Sequence, residues 1–227
     1  MRDDKNLTTD VLVIGCGIGG ASAALEAAKR GLKVVVITKH AKPEESNTFY
    51  AQGGIVTLGV GDDPGRLKAD ILKAGDGACD PRAVDVLVGE SRRLVDDILI
   101  TALRIPFTRS APGSLDYAQE GGHSRRRIIH IQDATGKAIE ERLIAALRRH
   151  PNVTLVSDHT AVDLLTVPHH SRNAVAYYRS PRCIGAYVLN NTTRKVSIIF
   201  AADTILATGG CGAVYLYTSN PKGAIGD

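Results

Sequence analysis

An acid, two glycines, two histidines and three arginines fall within eleven residues of this 227-residue chain, in the run EGGHSRRRIIH from Glu120 to His130. Guanidinium forks match carboxylates two hydrogen bonds at a time, and the Glu120 carboxylate suits an ammonium group, so the run could hold a small molecule carrying both charges. Part of it also has a plainer use. Any one of Arg125, Arg126 and Arg127 can be solvated or paired with an acid or a phosphate, and His123 suits a structural hydrogen bond as well as a ligand.

A second cluster lies near the start. Gly15, Gly17 and Gly20 fit Gly-x-Gly-x-x-Gly, directly after an apolar strand and at the opening of a helix. In that setting the three positions provide a tight turn, a close approach of backbone to a pyrophosphate, and close packing of helix on strand, with the phosphates at the helix N-terminus. The pattern points to a dinucleotide. An acid that takes the adenosine ribose is expected about 20 residues further on, at the end of the next strand. Thr38 and Lys39 stand there instead. A cation at that place could favour a 2′-phosphate, as in NADP, could lie against the adenosine of FAD, or could simply be a solvated strand-end lysine.

The elements that must position these residues follow from periodicity. Residues 11–14 are all apolar, which suits a parallel strand buried on both faces. Residues 18–30 read as a helix with Ala21, Ala24, Leu25 and Ala28 inward and Gly31 as its C-terminal stop, followed by a strand at 33–38. A turn-rich segment covers 42–63. Asp80-Pro81 opens the longest helix, whose apolar positions run from Val84 to Leu99, and a further helix turns Ile139, Leu143, Ile144 and Leu147 inward. Strands are expected at 153–156, 161–167, 183–189, 195–200 and 204–207. The middle ones are joined by turn residues such as Asn190-Asn191, which suggests an antiparallel meander. Residues 168–172 read as a loose insertion.

Bulk properties narrow the function classes. With 44% hydrophobic and 23% charged residues the composition is that of an ordinary globular protein. The formal charge of +4 is dispersed apart from residues 125–127, so a nucleic-acid partner is not expected and small anions fit better. Cys16, Cys79, Cys183 and Cys211 show no metal-binding spacing and read as reduced thiols of a cytoplasmic protein, with no metal. No apolar run approaches the roughly 20 residues of a membrane helix, and MRDDKNLTTD has no signal-like apolar stretch.

Four blocks together, DVLVIGCGIGG, SNTFYAQGGI, EGGHSRRRIIHIQDATG and ATGGCGAVYLYTSNPKGAIGD, resemble the flavoproteins of the succinate dehydrogenase, fumarate reductase and L-aspartate oxidase family, most closely its aspartate-oxidising branch. The resemblance spans nearly the whole chain in order. It implies an α/β fold of glutathione-reductase-like type: a Rossmann-like FAD-binding domain with a parallel sheet plus an antiparallel β-meander. It further implies FAD-dependent oxidation of L-aspartate to iminoaspartate, with oxygen or fumarate as acceptor, as the first step of de novo NAD biosynthesis, and hence a functional link to quinolinate synthase.

Residue by residue, the resemblance places FAD against Gly15, Cys16, Gly17, Ile18, Gly19 and Gly20, against Lys39, and against Ser46, Asn47, Thr48, Phe49, Tyr50, Ala51, Gln52, Gly53 and Gly54. It adds Thr160 and Ala161 at the adenine end, Thr208, Gly209 and Gly210 in the second glycine turn, and Asp227 near the ribityl chain. Relatives that attach FAD covalently do so through a histidine just before the Thr of the second block; here Asn47 stands there, so noncovalent flavin is expected. Glu120 is expected to orient the substrate. The family continues into a capping domain that supplies an active-site histidine and arginines, then a closing FAD segment. On this reading residues 1–227 are the N-terminal portion of the FAD-binding domain, truncated before both and inactive alone. The alternatives are a succinate dehydrogenase or fumarate reductase-type flavoprotein, against which Asn47 and the EGGHS block argue, and a noncatalytic FAD-binding fragment.

Overall fold

The computed structural model describes residues 6–111, 113–168, 171–178 and 180–226. In chain order the elements are β1 (Leu7–Ile14), α1 (Ile18–Lys29), β2 (Val34–Ile37), α2 (Asn47–Tyr50), β3 (Ile55–Val56), α3 (Pro64–Ala74) and α4 (Pro81–Leu94). A π-helical stretch, Val95–Ala102, continues α4, and β4 (Arg109–Ala111), β5 (Ser114–Leu115), β6 (Tyr117–Ala118) and β7 (Ile128–Ile129) follow. Then come α5 (Thr135–Arg149), β8 (Val153–Val156), β9 (His159–Thr166), β10 (Cys183–Asn190) and β11 (Val196–Leu206). The chain forms two compact units: Met1–Phe49 with Leu143–Asp227, and Tyr50–Arg142.

The first unit is built on a six-stranded sheet in the order β8-β2-β1-β11-β10-β9. From β8 to β11 the pairing is parallel, and β10 and β9 extend the sheet antiparallel. Such a mixed sheet explains the change in sequence character after residue 153. Strands covered on both faces must be apolar throughout, and Val11, Leu12, Val13 and Ile14 of β1 and all four residues of β2 are buried. Leu12, Ile14, Val35, Ile37, Val156, Ala186, Val188 and Ile199 pack into one cluster across five strands. Helix α1 stops where expected, with Arg30 as its cap and Gly31 following at φ +86°.

One boundary differs. The strands expected at 195–200 and 204–207 are a single eleven-residue strand, β11. Its first half pairs with β10, from Val196 to Phe200, while Ile199 to Leu206 pair with β1 from Leu7 to Ile14. Ala202 and Asp203 are exposed, and the pairing with β1, which includes Val11 with Asp203, carries the strand through them.

In the second unit β3, β7 and β6 form an antiparallel sheet and β4 pairs with β5. Helix α3, absent from the sequence reading, begins as α4 does. Asp63 caps it by accepting from the Arg66 N–H at 3.0 Å with Pro64 next, just as Asp80 accepts from Arg82 at 2.9 Å ahead of Pro81. Leu67, Val84 and Val88 form the buried contact of α3 and α4, with Ile71, Leu72 and Cys79 against it. The long helix expected through Leu99 is α-helical only to Leu94 and then widens, the Leu103 N–H donating to the Ile98 carbonyl five residues back.

Candidate functional site

In the first unit the carboxyl ends of β1, β2 and β11 open into a cleft of about 330 Å³. It is lined by residues 14–19, 37–40, 45–48, 159–161, 207–210, 221, 223 and 224. Open α/β sheets place ligands at this edge, because there the helix N-termini and strand ends converge.

The glycines of the first turn divide into two jobs. A Cβ on Gly15, which sits at φ +103°, would overlap the Ala207 carbonyl oxygen, and one on Gly20 would overlap the Gly15 carbonyl. These two glycines let turn, helix and β11 close on one another. Gly17 and Gly19 are roomier: a Cβ on Gly17 comes no closer than 3.4 Å to Thr48 Oγ1, and one on Gly19 meets nothing within 4 Å. Both line the cleft. Thr48 Oγ1 accepts from the Ile18 N–H at 3.0 Å and so caps α1, which has no capping side chain of its own at Gly17 and no acid in its first turn. The next N–H groups of α1 are left for an anion. Cys16 is 2% exposed and its thiol donates to the Pro43 carbonyl at 2.9 Å, which ties the turn to the segment leading into Ser46.

At the other end of the cleft lies the position where an acid was expected. Thr38 is buried and donates its N–H to the Val156 carbonyl at 3.0 Å. Lys39 extends its ammonium to the Gly223 carbonyl at 2.8 Å, so it holds the 221–224 loop to the cleft wall rather than standing free in solvent. Beside them is a residue the sequence reading missed: the His159 N–H donates to the Thr38 carbonyl at 3.0 Å. Neither periodicity nor spacing marks it, since its place follows from the pairing of backbones 121 residues apart, Thr38 with His159.

The expected cofactor residues Gly15, Cys16, Gly17, Ile18, Gly19, Lys39, Ser46, Asn47, Thr48, Thr160, Ala161, Thr208, Gly209 and Gly210 all line this cleft. Gly20 and Phe49 do not, although they belong to the same unit. Tyr50, Ala51, Gln52, Gly53 and Gly54 belong to the second unit. There Gly54 has a packing role, because a Cβ on it would overlap Ile128 and lie 2.5 Å from the Ile129 carbonyl oxygen. Asp227 falls outside the described residues.

The EGGHS run forms the loop between β6 and β7 in the second unit, and Glu120 is exposed on it. The loop folds back on itself: the His123 N–H donates to the Glu120 carbonyl at 3.2 Å, and Gln119 donates its amide to the His123 carbonyl at 2.8 Å. Arg127 is wholly buried. It donates to Asp62 through Nε at 2.7 Å and Nη2 at 2.9 Å, and to Asp70 through Nη1 at 2.6 Å. Of the three arginines, it is therefore the one spent inside the protein, and Arg125 and Arg126 are exposed. Asp70 also accepts the Ser124 N–H and hydroxyl. Those two bonds, then the guanidinium of Arg127, outweigh its partial burial and hold its carboxyl down at about 2 from an ordinary 3.8.

A profile of the FAD binding domain family matches residues 10–227. The chain belongs to that family. FAD is accordingly the cofactor of this FAD-binding domain. L-aspartate oxidase of Halobacterium salinarum is 43% identical over 220 residues, covering 97% of this chain and 41% of that protein. L-aspartate oxidase of Pseudomonas aeruginosa is 42% identical over 228 residues, covering 96% and 40%, and L-aspartate oxidase 2-a of Nicotiana tabacum, a chloroplastic protein, is 39% identical over 227 residues, covering 100% and 33%. The chain thus spans about two fifths or less of the length of these relatives. Among solved structures, a quinol-fumarate reductase with menaquinol molecules superposes with a TM-score of 0.86 at 24% identity, covering 98% of this chain and 36% of that one. The Mycobacterium smegmatis Sdh1 complex in the apo form superposes with a TM-score of 0.82 at 23% identity, covering 96% and 37%. At these identities the two structures speak for the fold.

The FAD-binding domain fits its cofactor on its own geometry. Gly17, Gly19, Gly209 and Gly210 leave space where a side chain would intrude, the start of α1 offers N–H groups to a pyrophosphate, and the inner wall is apolar at Ile14 and Ile37. Among the described residues no cluster of His, Cys, Asp and Glu could hold a metal, and no helix is long and apolar enough to cross a membrane.

Proposed function

We propose that this domain holds FAD noncovalently in an enzyme that oxidises L-aspartate to iminoaspartate, with oxygen or fumarate as acceptor. The observation that carries the proposal is the 43% identity with an L-aspartate oxidase along 97% of the chain. Bound FAD would supply the acceptor for the hydride that leaves C2 of the substrate. The chain's own residues bind and orient. Gly17 and Gly19 admit the pyrophosphate, Lys39 keeps the 221–224 loop in place, and Glu120 meets the α-ammonium of a small dicarboxylate. Asn47 has no ring nitrogen to alkylate, which supports a dissociable flavin.

On this proposal residues 1–227 act as one FAD-binding domain within a parent protein of the relatives' length, whose remaining part supplies the capping domain and the groups that grip the substrate carboxylates. Iminoaspartate would pass to quinolinate synthase in the cytoplasm. The test is to express the parent protein with FAD and compare L-aspartate with succinate. Iminoaspartate formation from aspartate, without succinate oxidation, is the expected result. The reverse preference would favour a succinate dehydrogenase or fumarate reductase-type flavoprotein.

A further inference from the structure

Asn191 stands outside the cofactor cleft, in the turn from β10 to β11, yet its side chain reaches two residues that line the cleft. Its amide nitrogen donates to the Lys39 carbonyl at 2.9 Å, and its amide oxygen accepts the Thr160 hydroxyl at 3.1 Å. A carbonyl can only accept, so one orientation of the amide satisfies both bonds. The turn that presents this side chain is itself pinned. The N–H groups of Thr192 and Thr193 donate to the side-chain oxygen of Asn190 at 3.0 and 2.9 Å, and the Arg194 N–H donates to the Asn190 carbonyl at 2.9 Å. The Asn191 N–H donates to the Asp158 carbonyl at 3.0 Å, which ties the turn to the start of β9.

Thr38, Lys39 and His40 follow directly on the last residue of β2. Their three carbonyls accept in turn from the His159 N–H at 3.0 Å, the Asn191 amide at 2.9 Å and the Asp158 N–H at 3.0 Å. Backbone holds the outer two and a side chain holds the middle one. Because Lys39 comes from the end of β2 and Thr160 from β9, a single amide spans two walls of the cleft and sets their separation. In Gly-x-Gly-x-x-Gly folds this strand end meets the adenosine ribose, usually through a carboxylate. Thr38 and Lys39 stand there instead. Without that one strong bond, binding at this end depends on walls that are already in place when the ligand arrives.

We propose that Asn191 is a positioning residue for the adenosine half of FAD: it touches no ligand and acts by fixing Lys39 and Thr160 relative to each other. The inference rests on FAD as the occupant of the cleft.

The test uses the parent protein freed of flavin, with FAD, ADP and FMN as probes in equilibrium dialysis. Asn191→Ala removes both bonds. It should weaken FAD and ADP by the same factor, about five- to tenfold, and leave FMN, which has no adenosine, unchanged. A merely structural role would lower the affinity for all three together, and that result would overturn the proposal, as would an unchanged Kd for ADP. Hydrogen exchange in the wild type gives a second reading that needs no variant to fold. ADP is expected to slow exchange of the Asn191 and Arg194 amides, although their turn lies outside the cleft, while FMN leaves it unchanged. Exchange in the turn that stays the same with ADP bound would overturn the proposal. Failure of both FAD and ADP to bind would instead overturn the cofactor reading of the cleft.

Discussion

Both hydrogens that Ser124 can donate, its backbone N–H and its hydroxyl, end on one oxygen of Asp70, at 2.9 and 2.8 Å. A side chain of α3 thereby fixes the middle of the EGGHS loop, and Arg127 secures the same carboxylate from behind at 2.6 Å. The loop is anchored four residues past Glu120 while Glu120 itself stays exposed.

The Asp70 carboxyl, held at about 2, makes this anchor sensitive to acid. Its folded value lies below its unfolded one, so the stability it contributes is complete above pH about 4 and is lost as the pH falls towards 2. The gap in melting temperature between the wild type and Asp70→Asn should therefore be constant from pH 7 to 5 and shrink steadily below 4. A gap that persists unchanged at pH 2 would refute the assignment.

Two glycines of one motif should respond oppositely to alanine. Gly20→Ala places a methyl into the Gly15 carbonyl and should cost about 1–3 kcal/mol of stability through overpacking. Gly17→Ala has room and should leave the melting temperature of the FAD-free protein within about 2 °C, yet lower FAD affinity at least tenfold, because its methyl stands where the pyrophosphate approaches. Thermal melts with and without FAD separate the two effects.

FAD, not NADP, should raise thermal stability. At a hundredfold excess over Kd the gain is about 2.7 kcal/mol, roughly 5–10 °C for a chain of this size. Acid precipitation of the loaded protein should leave all the flavin in the supernatant. Yellow colour retained in the pellet would mean that a residue other than Asn47 forms a bond to it.

Glu120 links the loop to substrate choice. A hydrogen bond to a charged group contributes on the order of 1.5–3 kcal/mol, roughly ten- to hundredfold in binding. Glu120→Gln in the parent protein should reduce kcat/KM for aspartate by about that factor and leave fumarate reduction nearly unchanged, since fumarate has no ammonium. Equal loss of both activities would assign Glu120 a structural role.

What could be read in advance was whatever the chain encodes locally. The apolar tetrads of β1 and β2, the glycine turn and the Asp-Pro helix start at Asp80 are each written in consecutive residues. Helix α3 was missed although Asp63-Pro64 carries the same signal, because Asp63 was taken into the turn-rich segment that ends there. The merging of two expected strands into β11 depends on β1, nearly 200 residues away in sequence, and no local pattern marks it. Pairing with an acid was open to any of the three arginines, but which of them is buried, Arg127, and the place of His159 were hidden for the same reason. One is defined by two acids from another segment and the other by a backbone it meets only in the folded sheet.

The switch of partners along β11 also governs when the fold can form. The strand at the middle of the sheet, β1, emerges from the ribosome before the strands it pairs with, and its pairing on one side waits for residues 199–206. The cleft draws on both ends of the chain, from residue 14 to residue 224. Until synthesis has passed the second glycine turn, β1 keeps one apolar edge unpaired and no cofactor can be captured. Pairing across so long a stretch is slow and leaves such edges open to aggregation. Folding yield in vivo should therefore follow flavin supply and chaperone capacity more closely than the equilibrium stability of the finished domain.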